Sequence, residues 1–134
     1  MRLSRVAAAV VLGLSSLDVL ACTCGGPSKG REEQWVEDRL EYADIVVLAR
    51  VASVSGDFPK SAVLKVQETI KGPLAPSLAV RENPCPGYRP VVGDVRVFFL
   101  QSDGQIVGCS TFDGLLSTTE LLAMLHALRR QGAT

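Results

Sequence analysis

The sequence predicts a mainly β domain: a five-stranded barrel with one helix before it and one after it. Three observations carry that reading. Short apolar or alternating runs recur between Ile45 and Ser110, Gly, Pro and Asp punctuate them, and helical spacing is confined to the two flanks. At 134 residues the chain has room for one domain. A 47% hydrophobic content against 21% charged residues argues against a disordered chain.

Residues 1–21 read as a secretion signal: Arg2 and Arg5 precede an apolar run from Val6 to Leu14, and Val19-Leu20-Ala21 leads to a cleavage site before Cys22. Residues 22–134 then form a single domain. Removing Arg2, Arg5 and Asp18 from 14 positive and 14 negative charges leaves the mature chain at −1, which gives no electrostatic case for nucleic acid or an anionic membrane. One His and no second apolar run of about 18 residues leave no basis for a multi-histidine metal site or a transmembrane segment in the mature chain. The chain is expected to be a monomer without a cofactor, either secreted or periplasmic.

Each element has a local cause. Gly25-Gly26-Pro27 excludes regular structure, so residues 22–27 form an extended strap. Ser28 is placed to cap a helix from Lys29 to Tyr42, with Trp35, Val36, Leu40 and Ala43 inward and Glu32, Glu33, Glu37 and Asp38 as a solvated face. The β-branched run Ile45–Val54 reads as a strand, Ser55-Gly56-Asp57 as a turn, and Ala62–Ile70 as an alternating strand ended by Lys71-Gly72-Pro73. A short strand from Leu78 to Glu82 runs into the stiff loop Asn83-Pro84-Cys85-Pro86-Gly87. Val95–Leu100 is the fourth strand, Ser102-Asp103-Gly104 a hairpin signal, and Gln105–Ser110 the fifth strand, with Cys109 near its end. Ser117-x-x-Glu120 is a capping box, with Leu116 positioned to staple against Leu121. The stripe Leu121, Leu125, Leu128, the basic pair Arg129-Arg130 and Gly132 complete a helix that packs on the barrel. Five strands in this arrangement suit the partly open OB-fold.

The inventory of catalytic groups is thin. His126 lies within the last helix and reads as a packed or surface histidine, not a general base; G-x-S-x-G and H-E-x-x-H are both absent. Trp35 and Tyr88 read as core or rim aromatics. Four cysteines in an exported chain favour two disulfides and allow three pairings. A bridge between Cys22 and Cys24 would close a strained ring, so each is expected to reach a distant partner. A four-cysteine zinc site is the rival use, although one C-x-C and two singletons lack its paired knuckles.

Cleavage after Ala21 would make Cys22 the first residue. Its α-amine, with an ordinary pKa near 8, and its carbonyl could close a five-membered chelate on a metal ion. In a zinc protease such a chelate would displace the water that the open coordination position holds as nucleophile. Thr23, between two tethered cysteines, would be free to enter a pocket beyond the zinc. In the simpler alternative, the C-x-C only ties the N-terminus to the barrel.

Cys22-Thr23-Cys24 behind a signal, followed by Ala43-Asp44-Ile45-Val46-Val47-Leu48-Ala49-Arg50-Val51, resembles the tissue inhibitors of metalloproteinases. Lys71-Gly72, Phe98-Phe99-Leu100 and Gly108-Cys109-Ser110-Thr111-Phe112 extend the resemblance, which spans most of residues 22–112. It implies an OB-type barrel of the kind shared by netrin modules, and a partner that is a zinc metalloprotease. Cys22 would be the zinc chelator acting in trans, Thr23 the residue in the target's pocket, and Glu82, Asn83 and Pro84 a flanking loop at the cleft. The implied bridges are Cys22 with Cys85 and Cys24 with Cys109. The sequence departs from the family in carrying Glu41 near the position of a third-bridge cysteine, in lacking a second disulfide-rich domain, and in its short Ser55–Ser61 turn. Two alternatives accompany this reading. One is a non-inhibitory binding or adhesion module on the same barrel. The other is an envelope protein lipid-anchored at Cys22, although Val19-Leu20-Ala21 suits ordinary signal cleavage better than a lipobox.

Overall fold

The computed structural model describes residues 30–85, 88–108 and 115–132. Its elements are α1 (Glu32–Tyr42), β1 (Ile45–Ser55), β2 (Ser61–Lys71), β3 (Ser77–Arg81), β4 (Val95–Leu100) and α2 (Thr118–Arg130). The four strands form one antiparallel sheet in the order β3-β2-β1-β4.

The apolar run at Ile45 is nearly continuous because β1 is covered on both faces. Successive side chains point to opposite sides of a strand, so Val46 and Val47, both fully buried, enter two different cores. One core packs Val46, Ile70, Val97 and Phe99 of the sheet against Val36 and Leu40 of α1 and the Leu121-Leu125-Leu128 stripe of α2. The other gathers Val47, Ala49, Val51, Leu64, Val80, Phe98 and Leu100 on the opposite face. Register shifts between β1 and β2 at three places bend these 11-residue strands. Among the described residues, no helix is long and apolar enough to cross a membrane.

Two expectations are corrected. Among the described residues the sheet has four strands, and of the expected fifth, Gln105–Ser110, the described part contributes isolated bridges. Gln105 bridges Arg81 in parallel and Ile106 bridges Leu100 antiparallel. The cause is a division of bonds: the Arg81 amide donates to the Gly104 carbonyl and the Ile106 amide to Arg81, while the Val107 amide donates to Phe99 and the Gln101 amide to Gln105. A segment that splits its main-chain bonds between the two outer strands builds no continuous ladder on either. The second correction concerns α1, which begins at Glu32 with Arg31 at its cap position and no side-chain cap. Gly30, at φ +88°, holds left-handed backbone that a right-handed helix cannot include, so the expected start at Lys29 under a Ser28 cap moves to Glu32. The α2 capping box forms as expected, with Ser117 accepting from the Glu120 amide and the Glu120 carboxylate accepting from the Ser117 amide.

Candidate functional site

Of the residues singled out in the sequence, Cys22, Thr23, Cys24 and Cys109 lie outside the described residues; the loop Glu82-Asn83-Pro84 and Cys85 lie within them. Cys85 is disulfide-bonded, and its partner falls outside the described set.

The loop begins where β3 leaves the sheet. Glu82 was expected to flank a cleft, yet its side chain is 3% exposed, the one buried charged residue among those described. Strand alternation explains this: Leu78, Val80 and Glu82 share a face, and that face is the inner one. The Glu82 amide donates to the Lys60 carbonyl at 2.8 Å. In return, the Lys60 amide donates to Glu82 Oε2 at 2.9 Å. Glu82 Oε1 also lies 3.7 Å from Nε of the exposed Arg89.

Asn83 secures the other side of the loop. Its Nδ2 donates to the Ile106 carbonyl at 3.0 Å, and its Oδ1 accepts from the Cys85 amide at 2.9 Å. Gly108 packs on the same amide group, so a Cβ there would stand 3.1 Å from Asn83 Nδ2. Cys85 and Gly108, the residue before Cys109, therefore sit at one end of the sheet on either side of Asn83. Pro84 is exposed.

Neighbouring segments add residues that the sequence reading passed over. Phe58, at the tip of the β1–β2 turn, is 56% exposed, with the Arg89 guanidinium 5.8 Å from its ring. Val91 and Val92 are also exposed. The available signal was an aromatic residue beside Pro59 in a turn otherwise made of small and polar residues. Between this edge and the inner core stands Tyr88, edge-on to Phe98 at 5.7 Å and with Arg96 stacked 3.6 Å from its ring. Its hydroxyl donates to Asp94 Oδ2 at 2.7 Å. Burial, followed by that bond to a carboxylate, pushes the phenol pKa up to about 12.

Other features lie elsewhere. His126 Nε2 meets Glu68 Oε1 at 2.5 Å, which ties α2 to β2. An open cleft of about 680 Å³ lies between α1, the end of β2 and the last turn of α2, with Leu40, Ile70, Leu74, Lys71 and Arg129 among its walls. It adjoins Lys71, whereas the Cys85 loop adjoins Lys60 at the opposite end of β2, some 33 Å of extended strand away. Among the described residues no group of three or more His, Cys, Asp or Glu could hold a metal ion.

No protein-family model and no curated protein sequence matches the chain.

Proposed function

We propose that the mature protein, beginning at Cys22, is a secreted inhibitor of zinc metalloproteases. In this reading the Cys22 amine and carbonyl chelate the target's catalytic zinc in place of its water, and Thr23 enters the adjoining pocket. The strap is held by bridges of Cys22 with Cys85 and Cys24 with Cys109, on an OB-like barrel that Gln105–Ser110 completes between β3 and β4.

The single observation that carries the proposal is the convergence of Cys85 and Gly108 on Asn83. A C-x-C can form two long-range bridges only if both partner cysteines lie close together, and the chain passes from Gly108 straight into Cys109. The bridges of the 104–107 segment to both outer strands support the barrel, because a strand between β3 and β4 would close the sheet in circular order. Exposed Phe58, Val91 and Val92 provide apolar surface near the same edge, as a protein partner requires.

The test is an extra alanine between Ala21 and Cys22, retained after signal cleavage. Inhibition of zinc endopeptidases should be lost while the circular dichroism spectrum is kept, and undiminished inhibition sinks the chelate. The intact non-reduced mass of the exported protein provides the companion measurement. A mass of residues 22–134 less four hydrogens fits a free amine and two bridges, whereas a mass raised by lipid overturns the reading.

A further inference from the structure

Between β2 and β3 the pairing runs Ser61 with Arg81, Ala62 with Val80 and onward, so Lys60 and Glu82 are the next opposed pair. Opposed residues of this kind in an antiparallel ladder exchange two main-chain bonds, one in each direction. Here one is present, from the Glu82 amide to the Lys60 carbonyl, but the reverse bond ends on a side chain: the Lys60 amide donates to Glu82 Oε2, not to the Glu82 main-chain carbonyl. The substitution has a local consequence. With its carbonyl released from the ladder, Glu82 can turn the chain outward into Asn83-Pro84-Cys85 while the Lys60 amide keeps a charge-assisted partner. Asn83 then fixes the next step by accepting from the Cys85 amide.

We propose that Glu82 is a positioning residue, not a contact residue: its buried carboxylate replaces a strand carbonyl and thereby sets the path of the Cys85 loop. The role rests on the inhibitor reading only in assigning that loop to the partner-facing edge. A loop fixed before encounter loses less freedom on binding, so release of Glu82 should weaken inhibition without reaching the partner directly.

The experiment compares Glu82→Ala, which removes the acceptor, with Glu82→Gln, which keeps an acceptor oxygen and loses only the charge. Amide exchange is followed at Lys60 and Cys85, with the β1–β4 ladder as internal control, and inhibition is measured on a panel of zinc endopeptidases with a fluorogenic peptide. In Glu82→Ala, exchange at both amides should rise about tenfold with the β1–β4 amides unchanged, and Glu82→Gln should stay within about threefold of wild type. The inhibition constants should follow the same order. Unchanged Cys85 exchange in Glu82→Ala overturns the role, as does a Gln variant as impaired as Ala, which would assign the effect to charge and not to the acceptor. Inhibition unchanged in Glu82→Ala despite faster exchange removes the link to the edge. If Glu82→Ala unfolds outright, the Gln variant decides, since raised Cys85 exchange there also overturns the proposal. A wild-type chain that inhibits no such protease refutes the functional reading, and the exchange data still decide the positioning role separately.

Discussion

Tyr88 holds its proton against the solvent because burial and its neighbour Asp94 favour the neutral phenol. Burial disfavours the phenolate, and the bond to Asp94 would place two anions face to face if the hydroxyl ionised. The folded pKa of about 12 stands above the ordinary 10, so the unfolded chain releases the proton first as pH rises. The stability this provides is complete below pH 10 and is lost between pH 10 and 12. In a Tyr42→Phe background, phenolate absorbance should report a single transition near pH 12, and a transition at the ordinary value would refute the assigned surroundings. Gly104 makes a steric prediction at the same scale. At φ +87°, with an added Cβ 2.6 Å from the Ala79 carbonyl oxygen, Gly104→Ala combines strained backbone with a main-chain clash. It should cost about 2–3 kcal/mol in denaturant unfolding, whereas Gly56→Ala, where φ is +83° but nothing lies within 4 Å, should cost about 1. Equal costs at the two glycines would show that Ala79 gives way.

Elements differ in how openly their causes appear in the sequence. The α2 helix was legible almost to the residue, because Ser117 and Glu120 form a local device that depends on nothing distant. The β1 strand was legible for a different reason, since its first half, Ile45–Ala49, is covered on both faces and has to be apolar. Glu82, placed in the flanking loop by the resemblance, has a buried side chain, and the alternation Leu78-Val80-Glu82 already pointed inward. The fifth strand shows as isolated bridges among the described residues, since no local pattern reveals that residues 104–107 divide their bonds between two outer strands. Several residues behind the family resemblance have structural work of their own. Asp44 accepts from the Ser102 amide, Gly72 sits 3.2 Å by its implied Cβ from the Asp44 carbonyl, and Lys71 Nζ donates to the Leu40 and Glu41 carbonyls at the end of α1. Lys71 therefore acts as a C-terminal cap delivered from a strand, in the place where a cation complements the helix dipole. Lys71→Met keeps the aliphatic stem and removes the charge, and should cost about 1 kcal/mol with faster exchange confined to the last turn of α1. A cost spread evenly over the sheet would contradict that account.

At the scale of the whole molecule, neither core holds a cysteine among the described residues, and the proposed tethering of the N-terminus is an addition to the hydrophobic fold. They meet at Cys85, whose bond reaches outside the described residues. Bridges of Cys22 with Cys85 and Cys24 with Cys109 would each close a loop of more than about 60 residues, worth up to about 4–5 kcal/mol in the chain-entropy model. That is comparable with the whole stability of a domain this size, roughly 5–15 kcal/mol, so the pairing can be read from stability alone. If Cys85 pairs with Cys22, the double variant Cys22→Ser/Cys85→Ser loses one bridge and should be no less stable than either single variant, because the second substitution breaks nothing further. If Cys85 pairs with Cys24 instead, the same double variant breaks two bridges, and its loss should approach the sum of the singles, a further 2–5 kcal/mol. Denaturant midpoints of the three variants separate these cases by more than the uncertainty of extrapolation. The distinction bears directly on function. A bridge from Cys22 to Cys85 would fix the residue whose amine would meet the zinc at this loop, whereas with Cys24 bridged to Cys85 that residue would be held through Cys109 instead. Additive losses would therefore argue against the pairing of Cys22 with Cys85 and move the anchor of the amine to Cys109.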